Sequence, residues 1–129
     1  MKTDLHVNIA AMDLKHDQFL ELLNRIQISS KNEFLPLFEE MIEHTKEHFA
    51  YEEALMYKYD FYGKYEHMDE HTTLLAEMNY FYEKARQMTL FGKAYINEYA
   101  YEKFKRHIIN IDSQLAMFFK ENNIVLEAE

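Results

Sequence analysis

Two pairs of side chains, each spaced four residues apart, carry the clearest chemical signal in this sequence. His48 and Glu52 form an HxxxE motif, and His67 and His71 form an HxxxH motif. Residues four apart project from the same face of an α-helix, so both members of a pair can reach one centre. Imidazole nitrogens and carboxylate oxygens are ligands that transition metals accept. The two motifs therefore predict a metal site, provided that helices bring them to the same level.

The composition supplies the helices that such a site needs. The 129 residues include only two glycines and one proline, too few for the turns of a many-stranded sheet, and 48% are apolar, enough for one core. Helix breaks are expected at 27–34, at 59–65 with Gly63, and at 89–95 with Gly92. The sequence predicts an all-α fold, an antiparallel up-down-up-down four-helix bundle forming a single domain over 1–129, with a short N-terminal arm over about 1–11 and helices over about 12–28, 33–59, 65–89 and 94–121.

Each predicted helix carries at least one histidine on its apolar face. Apolar positions recur at alternating spacings of four and three residues, which is typical of the seam of a bundle. This spacing adds His16 on the first helix and His107 on the fourth to the two motif pairs. One inward histidine is usually a core residue bonded to a neighbour. Several buried polar groups, at about 1–3 kcal/mol each when unpaired, need a shared partner, and metal is the most economical one.

The rise of an α-helix predicts that these residues meet in one layer. At about 1.5 Å per residue, His16 lies roughly 18 Å before the end of the first helix, and His48 roughly 22 Å after the start of the second. The same estimate for the second and third helices places Glu52 level with His67 and His71 to within about one turn. For the third and fourth helices, it brings His107 to the same level.

Asp112 does not follow from this geometry. It stands five residues after His107, about 140° round an ideal helix. A local π-bulge would bring its carboxylate to the centre, and so would a side chain that reaches sideways across the interface. Spacing alone therefore leaves the role of Asp112 open.

Four segments of the chain together resemble the hemerythrin family. They are DLKHDQFL (13–20), HFAYEEALM (48–56), YEHMDEHTTLL (65–75) and HIINID (107–112). The family pattern H…HxxxE…HxxxH…HxxxxD is matched at all seven positions, and the resemblance extends from Met12 to about Phe119. The last motif of that pattern has the five-residue spacing that separates His107 from Asp112.

The resemblance implies two non-haem irons joined by a bridging oxide or hydroxide. The first iron would be held by His67, His71 and His107, and the second by His16 and His48. Glu52 and Asp112 would bridge the two irons. Two octahedral metals have about 12 coordination positions, and these ligands with the bridge fill all but one. Dioxygen would bind at the open position, on the iron with fewer histidines.

An apolar pocket would keep water away from the bound oxygen. The candidates for its wall are Met12, Phe19, Phe49, Leu55, Leu74, Phe104, Ile108, Ile111 and Leu115. Ordinary core packing explains any one of these residues equally well. His44, one turn before His48, is expected to be a partly exposed surface residue instead of a ligand.

These observations predict reversible dioxygen binding for storage, delivery or sensing, and an oxygen-binding protein is favoured over an enzyme. The alternative is a di-iron enzyme that acts on peroxide or nitric oxide, or that protects iron centres from oxidation, with tyrosines such as Tyr51 and Tyr57 as donors. A structural bundle that binds zinc is a third hypothesis, although zinc usually takes four ligands.

Charge and composition exclude several other classes. The net charge of −9 leaves no basic patch for nucleic acid or an anionic membrane, and the absence of cysteine removes disulfides and thiolate chemistry. The first residues show no signal peptide, so we expect a cytoplasmic protein with no nucleic-acid or membrane partner. The sequence leaves the oligomeric state open.

Overall fold

The computed structural model describes residues 6–126, and every regular element in that range is helical, in agreement with the predicted all-α fold. Helices that follow one another along the chain pack together, as they do in a helical bundle. None of the helices within 6–126 has an apolar stretch long enough to cross a membrane. The helices are α1 (Ala10–Gln27), α2 (Lys31–Lys58), α3 (Lys64–Gln87) and α4, which covers 89–121.

The connection between α2 and α3 is formed by an aspartate as well as a glycine. Asp60 adopts the left-handed conformation, with φ of 52°, and the Phe61 N–H then donates to the Met56 carbonyl at 2.9 Å. This is the pattern of a Schellman C-cap, which is usually built on glycine. Gly63, the residue that predicts the break, has φ of −95° and stands immediately before α3.

Gly92 lies inside α4 and does not end α3. The two helices are separated at Met88, four residues before the predicted position. A Cβ atom at Gly92 would stand 2.4 Å from the Ala85 Cβ and 2.9 Å from the Phe34 ring. The missing side chain therefore lets α4 pack closely against α3 and α2, which is a reason for glycine that has nothing to do with helix capping.

The fourth helix has π-helical geometry in two places. Its α-helical parts are Thr89–Tyr95, Tyr101–His107 and Ser113–Glu121, and the π-helical segments Ile96–Ala100 and Ile108–Asp112 join them. A π-helical turn holds one more residue than an α-helical turn, since its hydrogen bonds link residues five apart. The second π segment directly follows His107 and ends at Asp112.

Two clusters of buried apolar side chains fill the interior of the bundle. The first core cluster contains Phe19, Leu22, Leu23, Ile26, Phe34, Phe38, Met41, Ile42, Met78, Ala85, Tyr95, Ile96 and Ala100. The second core cluster contains Met12, Met56, Phe61, Leu115, Ala116 and Phe119. Between them lies a layer of buried polar residues. Along α1, for example, His16 separates Met12 of the second cluster from Phe19 of the first.

Candidate metal centre

The structure brings all seven predicted ligands together in the polar layer. Each is buried, and none is more than 5% exposed. These residues form two groups, and in each group one nitrogen or oxygen atom per residue lies within 4.8 Å of the corresponding atoms of the others. The three-histidine group contains His67, His71 and His107, the two-histidine group contains His16 and His48, and both groups share Glu52 and Asp112.

Each carboxylate divides its two oxygens between the two histidine groups. Glu52 Oε1 lies 3.1 Å from Nε2 of both His67 and His71, and Glu52 Oε2 lies 3.1 Å from Nε2 of His48. Glu52 therefore faces both groups, as a bridging ligand would.

Asp112 is placed in the same way as Glu52. Its Oδ1 lies 3.1 Å from Nε2 of both His67 and His107, and its Oδ2 lies 2.9 Å from Nε2 of His16. The π-helical segment Ile108–Asp112 explains this position. Five residues span about one turn of such a segment, so His107 and Asp112 project from one face. Of the two possibilities that the sequence left open for Asp112, the structure has the π-bulge.

These spacings fit ligands that share a cation. Two atoms that bind one metal at about 2.1 Å and at right angles to each other lie about 3.0 Å apart. The nitrogen–oxygen distances in the cluster are between 2.9 and 3.1 Å. Ordinary hydrogen bonds have similar lengths, so the distances alone do not distinguish a proton from a metal.

Unpaired buried atoms make that distinction. Within the described part of the chain, several side-chain atoms at the centre of the cluster lie 3.1 Å from a neighbouring polar atom but have no partner in hydrogen-bond geometry, namely His48 Nε2, His71 Nε2, His107 Nε2, Glu52 Oε2 and Asp112 Oδ1. Buried polar atoms are rarely left in this condition, because each unpaired group costs free energy. A cation that accepts nitrogen and carboxylate oxygen would satisfy all of them, so the donor set fits a bound metal.

The pKa values of the carboxylates reflect the surrounding imidazoles. Burial and the charge of Asp112 oppose ionisation of Glu52, but His48 and His67 outweigh them and hold the pKa of Glu52 well below its usual range. Burial also opposes ionisation of Asp112, but His107 and the other histidines hold its pKa well below the usual range. Both carboxylates are therefore ionised and available as metal ligands at neutral pH.

The pKa values of three of the histidines are raised instead. Burial alone would lower the pKa of His67, but the carboxylates of Asp112 and Glu52, each with an oxygen 3.1 Å from its Nε2, raise it to about 9. The pKa values of His16 and His107 are also raised, since the same carboxylates outweigh the effect of burial. Without a cation, protons on the histidines balance the negative charge of the carboxylates, and a metal must displace these protons to bind.

A small cavity adjoins the cluster beside His48 and His107. Its volume is about 20 Å³, which is room for one water-sized molecule. Phe19 and Phe104 stack with ring centroids 4.0 Å apart, and the Phe104 ring meets His16 edge-on at 5.8 Å. Four of the nine residues predicted to form an oxygen pocket line this cavity, namely Phe19, Phe49, Leu74 and Phe104.

The other five predicted pocket residues lie elsewhere. Met12 and Leu115 are fully buried in the second core cluster, and Leu55 packs against it. Ile108 is buried and Ile111 is half-buried, but neither borders the cavity. The cavity opens beside the first core cluster, so residues that pack with the second cluster are on the other side of the polar layer.

Further residues that were not predicted as pocket residues line the cavity. They are His44, Thr45, Met78, Tyr95, Ala100 and Lys103. Thr45 stands three residues before His48, Met78 seven after His71 and Ala100 seven before His107. These spacings place them on the same helix faces as the predicted ligands, so the sequence offered a signal. His44 is partly exposed, as predicted, with its Nε2 3.2 Å from Gln18 Oε1. Its Nδ1 is buried and has no hydrogen-bond partner in the described chain. Burial and the neighbouring His48 lower the pKa of His44, so this ring is neutral at pH 7.

Comparison with known proteins agrees with the geometry. Residues 7–128 match the family model described as "Hemerythrin HHE cation binding domain". A curated relative, the bacteriohemerythrin of Ralstonia nicotianae, is 39% identical over 72 residues, an alignment that covers 56% of this chain and 53% of that protein. The match therefore spans about half of the length of this relative. No solved structure matches the chain.

Proposed function

Since this chain belongs to the hemerythrin family, we propose that it binds dioxygen reversibly at a pair of iron ions, for oxygen storage, delivery or sensing. The observation that carries the proposal is the division of each bridging carboxylate between two histidine groups. A single cation would need only one group, and a proton network would not leave so many inward atoms without hydrogen bonds.

The ligand count supports two unequal sites. Three histidines, two carboxylate oxygens and one bridging oxide or hydroxide make six ligands for one iron, and two histidines with the same shared groups make five for the other. Octahedral metals take about six ligands each, so one position stays open, on the iron of the two-histidine group. Iron in this ligand set supplies the electrons that reversible oxygen binding requires.

The cavity supports a small uncharged ligand. It borders His48 of the two-histidine group, and its volume of about 20 Å³ matches one small molecule. Phe49, Leu74 and Phe104 present apolar surface to it and limit the entry of water. Exclusion of water disfavours the loss of bound oxygen as a charged, reduced species, which favours a carrier over an enzyme.

We also infer that the four helices alternate in direction, as an up-down-up-down bundle. Along α1, the chain passes from the second core cluster (Met12) through the polar layer to the first (Phe19), and along α2 it passes from the first (Met41) to the second (Met56). The order reverses again on α3 and on α4. Connections of five residues or fewer between the helices agree with this arrangement.

The decisive experiment is an oxygen titration of the iron-loaded protein with a count of bound metal. We expect two irons per chain, a nearly colourless protein without oxygen, and a visible ligand-to-metal band that appears with oxygen and fades under argon. Irreversible oxidation with turnover of peroxide or nitric oxide would replace the carrier with an enzyme. Preference for zinc without any response to oxygen would refute both iron functions.

A matched pair of variants connects the band to the site. His48→Ala removes a ligand from the two-histidine group, so the oxygen-dependent band should disappear. His6→Ala removes a histidine that pairs with Asp17 at 3.1 Å near the protein surface, so it should retain the band. Equal behaviour of the two variants would contradict the proposed site.

A further inference from the structure

The five histidines of the cluster differ in what their outer nitrogens contact. His71 Nδ1 lies 2.9 Å from Glu53 Oε2, a hydrogen-bond distance. His107 Nδ1 lies 3.7 Å from Glu70 Oε1, too far for a hydrogen bond. The Nδ1 atoms of the other three histidines, His16, His48 and His67, are buried and have no hydrogen-bond partner among the described residues. One imidazole of the five is thus hydrogen-bonded to an outer carboxylate.

Neighbouring side chains also fix the orientation of the His71 ring. The Phe49 ring stacks on it, with centroids 3.7 Å apart and planes 4° apart. Glu52 and Glu53, adjacent in sequence, approach opposite nitrogens of the His71 ring, at 3.1 Å from Nε2 and 2.9 Å from Nδ1. The stacking fixes the plane of the ring, and the outer carboxylate fixes its rotation within that plane.

The hydrogen bond to Glu53 also selects the tautomer. A neutral imidazole has one N–H group. If Nδ1 carries this hydrogen and donates it to Glu53, the lone pair of Nε2 is free and faces the centre of the cluster. A carboxylate behind a metal-bound histidine raises the basicity of the ligand nitrogen, and removal of such a partner typically weakens metal binding by about 10–100-fold.

We propose that Glu53 is a positioning residue that makes the metal of the three-histidine group the more tightly held of the two. The inference rests on the proposed pair of metals, and it assigns to Glu53 an effect on one of them alone. No histidine of the two-histidine group has a comparable partner within residues 6–126, so the difference between the two metals comes from the protein around the ligands as well as from the ligand count.

The test measures the release of Fe²⁺ from the anaerobically loaded protein to a ferrous chelator. We expect two phases in the wild type, with one iron released more slowly. Glu53→Ala should accelerate the slow phase about 10-fold or more and leave the fast phase unchanged. Glu53→Gln keeps a carbonyl that accepts the His71 N–H but loses the charge, so its effect should be smaller. Glu43→Gln, which affects a surface pair with Lys46, should change neither phase.

Two further measurements separate positioning from a general loss of structure. Glu53 is partly exposed, with 31% of its side chain accessible, and Glu53→Gln keeps an acceptor for the His71 N–H, so the unfolding temperature of metal-free Glu53→Gln should equal that of the wild type. Mössbauer spectra of the ⁵⁷Fe-loaded protein should show a change at one iron in Glu53→Ala. Equal acceleration of both phases, or no acceleration, would overturn the inference. A wild type that holds no Fe²⁺ would refute the proposed function instead, and release of Zn²⁺ would then test Glu53 by the same comparison.

Discussion

The metal-free protein should lose stability as the pH rises from 6.5 to 9, whereas the metal-bound protein should keep its stability over this range. The folded chain raises the pKa of His67 from 6.5 to about 9. A group with a raised pKa stabilises the fold fully below its unfolded value, and this contribution is lost as the pH rises through the folded value. The predicted loss therefore falls between pH 6.5 and about 9.

The magnitude follows from the size of this shift. A pKa difference between 6.5 and about 9 is worth about 3 kcal/mol in the free energy of unfolding. For a chain of this length, that change lowers the unfolding temperature by about 10 °C. His16 and His107, with pKa values raised by the same carboxylates, act in the same direction. The lowered pKa of His44 acts in the opposite direction, but only below pH 6.5.

The acid side of the profile has the opposite sign. The pKa values of Glu52 and Asp112 lie below their ordinary values of 4.5 and 3.8. Their contributions are present above those values and disappear as the pH falls through the lower, folded pKa values. The metal-free protein should therefore be most stable between about pH 4.5 and 6.5.

The assay is thermal unfolding of chelator-treated and metal-loaded protein from pH 4 to 10. In the loaded protein the cation competes with the His67 proton, so stabilisation by metal should grow over the range in which the metal-free protein weakens. Asp112→Asn removes a main cause of the raised pKa and should flatten the metal-free profile between pH 6.5 and 9. An unfolding temperature of the metal-free wild type that stays constant or rises over this range would refute the reasoning.

Three further predictions concern single substitutions at other positions of the bundle. Gly92→Ala should destabilise the protein by about 1 kcal/mol in urea unfolding, because overpacking against Ala85, about 1–3 kcal/mol, exceeds the gain in helix propensity, about 1 kcal/mol. Gly63→Ala is its control and should cost less, and a stabilised Gly92→Ala would contradict the close contact. Phe104→Leu should enlarge the cavity and admit water, so the oxygen-dependent band should decay faster, and an unchanged decay rate would exclude this wall from protecting the ligand. Tyr57→Phe should leave oxygen binding unchanged, because the Tyr57 side chain is 54% exposed, whereas slower turnover of peroxide or nitric oxide would favour an enzyme that uses this tyrosine as a donor.

The sequence predicts the ligands that lie on regular α-helices. It does not predict features for which one sequence pattern fits two different structures. His48 and Glu52 were predictable because a spacing of four residues has one reading on an α-helix. Asp112 was predicted only through the resemblance to a family, because spacing alone did not distinguish a π-helical turn from a side chain that reaches sideways. Gly92 was assigned to a helix end, since a glycine that permits close packing looks the same in sequence as one that caps a helix.

Glu53 shows a different limit of sequence analysis. The chain contains 23 acidic residues, and nothing about Glu53 marks it apart from its position beside Glu52. Its importance depends on His71, which lies on another helix 18 residues later. Pairings of this kind depend on the rotation of one helix against the next, and apolar periodicity does not determine that rotation to within one side chain.

The π-helical segment after His107 makes the site depend on the number of residues as well as their identity. Ile109 and Asn110 lie within it and are exposed, so many side chains would be acceptable at either position. Insertion of a further residue would be a different matter. It would place the aspartate six residues after His107, one more than the π-helical turn accommodates, and would turn the carboxylate away from the histidine. Deletion of one residue would instead restore an α-helical turn, in which the aspartate stands four residues after the histidine and stays on the same face. A segment that accepts many side chains is thus one that does not accept additional residues.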